Sequence, residues 1–168
     1  MRIMIFGRPG SGKSTFALKL SQQLHLPLYH LDRYFFTRDW IERDYSEFLQ
    51  IQKEIVDKDS WIIDGNAIRS LEMRYQRADI VIYFCYPKLK CLWRIIKRRF
   101  LSKNHRIKDK AEGCTETIHW SLIKYLWTYE TRVQSQIIEL RKKYPTVKFY
   151  VVRNDQDLSQ SNDQFFHT

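Results

Sequence analysis

The sequence has no apolar run approaching the roughly 20 residues that a bilayer-spanning helix needs, which excludes a helical membrane span. Its opening, MRIMIFG, is too short for the apolar core of an export signal and runs straight into a glycine-containing loop. Cysteine is scarce. Cys85, Cys91 and Cys114 are odd in number and lack C-x-x-C spacing, so neither a disulfide framework nor a zinc site is indicated, and a reducing cytoplasmic setting is expected. Acidic residues are nearly missing from residues 88–110, where ten Lys or Arg face the single acid Asp109. Much of the formal charge of +10 sits there, and an anionic partner for that segment is implied. What is present argues for a folded, soluble surface: 43% hydrophobic residues, 15% aromatic and 29% charged. With 168 residues, one domain over 1–168 is expected.

Apolar runs suited to buried strands occur at Ile3–Phe6, Leu26–Leu31, Trp61–Ile63, Ile80–Phe84 and Val147–Val152. Helical patterns lie between them. One starts at Lys13 with Phe16, Ala17, Leu20 and Leu24 on a face, and another carries Phe48, Ile51 and Ile55. After Pro87, Leu89, Leu92, Trp93, Ile96 and Phe100 recur at steps of three and four. A long helix is expected from about Thr117 to Lys143, stopped by Pro145. Alternating strands and helices predict a parallel sheet covered on both faces, with its ligand rim at the strand C-terminal ends. The final stretch, NDQDLSQSNDQFFHT, is polar and is expected to fray.

GRPGSGKST, residues 7–15, fits G-x-x-x-x-G-K-[ST] through Gly7, Gly12, Lys13 and Ser14, with Gly10 and Ser11 between and Thr15 following. Glycines let successive N–H groups from about Gly10 to Thr15 point into one concavity, and the positive end of the next helix adds to that field. Lys13 would reach the β and γ phosphates of a bound nucleotide, and Ser14 would give its hydroxyl to Mg²⁺. WIIDGN ends a strand with Asp64, which on the same rim would hold Mg²⁺, or else would open a turn with Gly65. Asp32 closes YHLD and would orient or deprotonate an acceptor hydroxyl, join the metal shell, or cap a turn. His30, two residues earlier on the same face, reads as structural. Arg94 and Arg98, one helical turn apart, would neutralise phosphoryl charge with their planar forks, or else form a solvated basic face.

The chain resembles the adenylate kinase group of P-loop phosphotransferases in GRPGSGKST, in IIDGN followed by Arg69, and in ADIVIYFCYPKLKCLWRIIKRR. PLYHLD, WIIDGN, CLWRIIKRR and EGCTE look most like a bacterial branch labelled DNA topology modulation protein. The resemblance implies a three-layer fold with a five-stranded parallel sheet of order 2-3-1-4-5 and a helical lid. It implies an acceptor-side helical segment at about 33–58 and a lid at about 100–117. By resemblance, Arg94 stacks near the adenine, Arg98 contacts phosphates at the lid base, Arg106 lies in the lid, Arg132 returns as a phosphate clamp, and Asn154 borders the adenine. Two departures fall on the acceptor side. LDRYFFTRDW stands where the group carries a Thr-Gly-Asp turn and an arginine, and Arg69 in DGNAIR comes one residue later than in D-G-F-P-R.

The expected activity is therefore transfer of a phosphoryl group from ATP, with Mg²⁺, to a small acceptor, a nucleotide among the candidates. Asp32 and Arg69 would serve that acceptor. Tyr34, Phe35, Phe36 and Trp40 would stack on a base or sugar, or else form core. The rival readings are a nucleic-acid-associated ATPase and a nucleotide switch without turnover, although no helix-turn-helix or RNA-binding signature is present. Cys114 and His105 are too few for a zinc-bearing lid. No structural metal and no membrane partner are expected, and a monomer is assumed.

Overall fold

In a computed structural model, residues 1–36, 41–101 and 120–158 are described. Strand β1 (Arg2–Gly7) lies at the centre of a five-stranded, all-parallel sheet of order β2-β3-β1-β4-β5. Its neighbours are β3 (Trp61–Asp64) and β4 (Ile80–Phe84), with β2 (Leu28–His30) and β5 (Lys148–Val152) at the edges. The register pairs Ile5 with Asp64, His30 with Asp64 and Gly7 with Phe84, so these strand ends form one rim. From β1 the chain crosses to β2 and returns through β3 on one side, then passes β1 to reach β4 and β5 on the other, the kind of reversal at which open sheets form a ligand crevice.

Alternation along the strands builds two cores. Met4, Phe6, Ile63, Val81 and Tyr83 meet helices α3 (Tyr45–Val56), α4 (Leu71–Tyr75) and α6 (Trp120–Lys143). Ile3, Ile5, Ile62, Ile82 and Phe84 meet α1 (Lys13–Leu24) and α5 (Lys88–Leu101) on the other face. Asp44 caps α3 by accepting from the N–H groups of Ser46 and Glu47. Helix α6 ends at Lys143, with Arg141, Lys142 and Lys143 in its last turn, where cations suit the carbonyl end.

Three expectations change. The second strand is three residues long rather than Leu26–Leu31, because Leu31 turns into the short helix α2 (Leu31–Phe35), burying its side chain. Asp32 therefore sits in the first turn of that helix, exposed, and does not close a strand. The apolar stripe of α5 faces outward. Of the five residues expected in it, Leu89, Trp93, Ile96 and Phe100 are exposed and Leu92 is half-buried against the core, where Cys91 and Ile95 make the buried contact. Among the aromatics after β2, Phe35 packs edge-on against Phe48 at 5.0 Å and is core rather than a free stacking surface. Trp40, Arg106, Cys114, His105 and nearly all of the expected lid lie outside the described residues.

Candidate active site

The glycine loop is fixed by close backbone approaches. A Cβ at Gly7 would stand 2.3 Å from the Phe84 carbonyl oxygen, and one at Gly10 would stand 2.6 Å from that of Cys91. Both residues have positive φ, so glycine is needed for shape and for space. The Gly7 N–H donates to Asn66 Oδ1 at 3.1 Å, and the Tyr129 hydroxyl donates to the same oxygen at 3.2 Å. The buried Arg8 donates to the Tyr86 carbonyl and, at 2.7 Å, to Glu130 of α6. The loop is thus anchored to β4, to the turn after β3 and to α6.

One expectation about the loop needs correction. The Ser11 N–H donates to the Arg8 carbonyl at 3.2 Å, closing a turn, so it does not join the concavity. The remaining field comes from the start of α1. Its N-cap, Gly12, supplies no side-chain hydrogen bond and its first turn contains no acid, so the uncapped N–H groups and Lys13 leave an anion-seeking end.

Facing this end is Asp64, only 4% exposed. Burial pushes its carboxyl up. The Lys13 ammonium, the hydrogen-bonded His30 and the nearby Ser14 hydroxyl outweigh that, holding it below the usual carboxylate range. His30 Nδ1 lies 3.0 Å from Asp64 Oδ2, while the buried Oδ1 has no partner of hydrogen-bond geometry among the described residues. A buried carboxylate with one committed and one uncommitted oxygen, beside a serine hydroxyl, fits a hard cation such as Mg²⁺. His30 is then the group that orients the carboxylate. Its partner lies 34 positions away, so no local spacing marks the pair.

Behind the loop lies a cavity of about 560 Å³, bordered by Gly12, Thr15, Tyr86, Arg94, Arg98 and Asp155 among others. Gly10 and Ser11 border it as well. Arg94 donates to the Ser11 carbonyl at 2.8 Å and to Asp155 at 3.1 Å, with its guanidinium 4.7 Å from the centre of the Tyr86 ring. The expected neighbour of a base, Asn154, accepts from the Asp157 N–H at 2.8 Å and caps a helical turn at 155–158. Asp155 occupies the cavity wall instead. Hydrogen bonds from Lys90, Tyr86 and Arg94 pull its carboxyl down to about 2 against the smaller effect of burial.

The acceptor-side residues lie apart from that cavity. Burial, followed by the charge of Asp32, pushes the Tyr125 phenol up to about 12, and Arg132 sits 5.8 Å from the Tyr125 ring centre. The charges of Asp32 and Arg132 thus both act on Tyr125, a residue the sequence did not single out. Arg69 lies over the Tyr45 ring at 4.0 Å, tying the turn after β3 to α3. The fully buried Arg74 supports this turn, donating to the carbonyls of Asn66 and Ala67 and to Gln52 Oε1. Burial pushes its guanidinium down to about 10.

No protein-family model matches the chain, and no curated protein matches it. Solved structures do. Shikimate kinase from Acinetobacter baumannii in complex with shikimate is similar at 16% identity and TM-score 0.57, covering 98% of this chain and 92% of that one. Deoxyadenosine kinase from M. mycoides, with products dCMP and a flexible dCDP bound, is similar at 16% identity and TM-score 0.56, covering 98% of each chain. Shikimate kinase from Bacteroides thetaiotaomicron gives 13% identity and TM-score 0.54, covering 98% of this chain and 95% of that one. The fold is the P-loop kinase fold. Within it, GRPGSGKST joins β1 to α1, and Asp64 ends the neighbouring strand β3.

Proposed function

We propose that the chain is a phosphotransferase of the nucleoside monophosphate kinase type, using ATP and Mg²⁺ to phosphorylate a small acceptor. The supporting observation is the buried Asp64 carboxylate, with its unpartnered Oδ1, set against Lys13, Ser14 and the uncapped start of α1. Gly10, Gly12, Lys13, Ser14 and Thr15 would hold the triphosphate, and Ser14 and Asp64 the metal. Bound Mg²⁺ supplies charge neutralisation on the phosphates. Lys13, Arg98, Arg132 and the lid residue Arg106 would screen the negative charge spread over the transferred phosphoryl group. Arg94, already fixed by Ser11 and Asp155, would present its plane toward a base in the cavity.

Asp32 and Arg69 would serve the acceptor. With a hydroxyl acceptor, Asp32 would take its proton as the acceptor oxygen bonds to the γ-phosphorus and the bond from that phosphorus to the β-phosphate oxygen breaks; an anionic phosphate acceptor attacks without that proton transfer. The deoxyadenosine kinase and shikimate kinases among the similar structures are named for different acceptors, so the acceptor is sought on both sides of that divide. A reading as a DNA-linked ATPase gains no support from these neighbours.

The test is a transfer screen with MgATP over nucleotides, nucleosides and small hydroxylated metabolites, run with Lys13→Ala and Asp64→Asn. The expected result is acceptor-dependent ADP formation that falls at least 100-fold in both variants. Turnover unaffected by Lys13→Ala would overturn the proposal.

A further inference from the structure

The outward stripe of α5 has no role in the site. Leu89, Trp93, Ile96 and Phe100 fall within an arc of about 60° on the helix and span about 17 Å of its length. Arg94 and Arg98, which border the cavity, project from the opposite half, as do the buried Cys91 and Ile95. Helix α6 adds Trp120 and Trp127, spaced seven residues apart and therefore on one face. Trp93, Phe100, Trp120 and Trp127 are 58%, 75%, 85% and 47% exposed. With aromatic side chains of about 150–250 Å² each, these four alone leave on the order of 500 Å² in water. Leu89 and Ile96 add to it, and the contact of Lys88 with Trp127 at 5.5 Å joins the two helices, so the exposed apolar area is comparable with the largest patch of an ordinary monomer, roughly 300–600 Å².

The charge around the stripe selects its occupant. Helix α5 contains no acid, and with Arg94 and Arg98 on the cavity and Lys90 paired with Asp155, Lys88 and Lys97 are the cations beside the exposed aromatics. The Lys97 ammonium sits 4.8 Å from the centre of the Trp93 ring, and that of Lys88 sits 5.5 Å from the centre of the Trp127 ring. Aromatic rings topped by lysine ammoniums suit a boundary with acyl chains below and anionic headgroups above. A second copy would set one lysine-bearing face against another. Duplex nucleic acid would meet the lysines but leave Leu89 and Ile96 without apolar partners. We infer that the outer face of α5, with Trp120 and Trp127 of α6, is a docking surface for an anionic lipid bilayer, on which the protein lies without spanning it. Because the cavity arginines point the other way, the active site stays open in the docked state. Headgroup attraction of this kind falls off within a Debye length, so docking weakens with salt.

The experiment is flotation of the full chain with vesicles of phosphatidylcholine containing 30% phosphatidylglycerol, and with phosphatidylcholine alone. We expect at least tenfold greater partitioning onto the anionic vesicles, reduced by 0.5 M salt. Leu89→Ser/Trp93→Ser should lose at least tenfold in partitioning. Both side chains are exposed, so the variant should keep the wild-type melting temperature and P-loop nucleotide affinity. No flotation, or flotation indifferent to the double substitution, would overturn the inference. So would a self-association seen by sedimentation, or an oligonucleotide affinity, that the substitution abolishes while vesicles are ignored.

Discussion

Gly10→Ala and Gly12→Ala separate two physical reasons for glycine in one loop. Both positions have positive φ, +76° and +94°, so an alanine at either faces a left-handed backbone penalty of about 1–2 kcal/mol. Only at Gly10 does the new methyl also meet fixed atoms. It would stand 2.6 Å from the Cys91 carbonyl oxygen and 2.8 Å from Ile95 Cγ1, whereas at Gly12 the nearest atom is Arg94 Nη1 at 3.6 Å, an ordinary contact. Relieving the Gly10 clash requires the loop to move off α5, an overpacking cost of about 1–3 kcal/mol. The expected totals are about 1–2 kcal/mol for Gly12→Ala and about 2–5 kcal/mol for Gly10→Ala. In a domain of this size each kcal/mol lowers the melting temperature by about 2–4 °C. Urea titration and calorimetry of both variants measure the difference. Equal losses would refute the argument that packing against α5, and not backbone conformation alone, excludes a side chain at Gly10.

Glu130→Ala should destabilise by about 3 kcal/mol and Arg8→Met by less, since the first strands a buried guanidinium while the second frees a carboxylate that is 46% exposed; urea midpoints showing the reverse order would contradict this. Arg74→Met should cost about 1–3 kcal/mol, because the Asn66 carbonyl loses its donor while Gln52 Oε1 and the Ala67 carbonyl keep Ser70; an unchanged urea midpoint would show that Asn66 finds another partner. The Asp155 carboxyl is depressed to about 2 from 3.8, so its contribution to stability is complete above the unfolded value and is lost as pH falls toward about 2. Asp155→Asn should therefore flatten the acid limb of the stability curve between these values. The effect should be no more than about 1 kcal/mol, since the side chain is 63% exposed and solvent-screened. An acid limb identical to that of the wild type would deny Asp155 this role.

The outward stripe of α5 shows why periodicity was not enough. Steps of three and four identify a helix face that is apolar, but the same pattern arises whether that face meets the sheet or something outside the domain. The sheet took the narrow face of Cys91 and Ile95, flanked by Arg94 and Arg98, which border the cavity. The second strand was overextended for a similar reason. Leu31 is apolar and buried, yet it is buried from a helix.

The sequence by itself determined the strand and helix alternation, the P-loop and the carboxylate that ends β3, because each is written in neighbouring residues through period, glycine content and spacing. Which groups meet across the fold was decided only by tertiary structure. His30 reaches Asp64 because the parallel register sets them side by side, and Arg8 reaches Glu130 across 122 positions because α6 packs over the end of β4. Asp155, rather than Asn154, faces the cavity because Asn154 is taken up in capping the turn that follows it. Such pairings depend on the path of the whole backbone, and no local spacing encodes them.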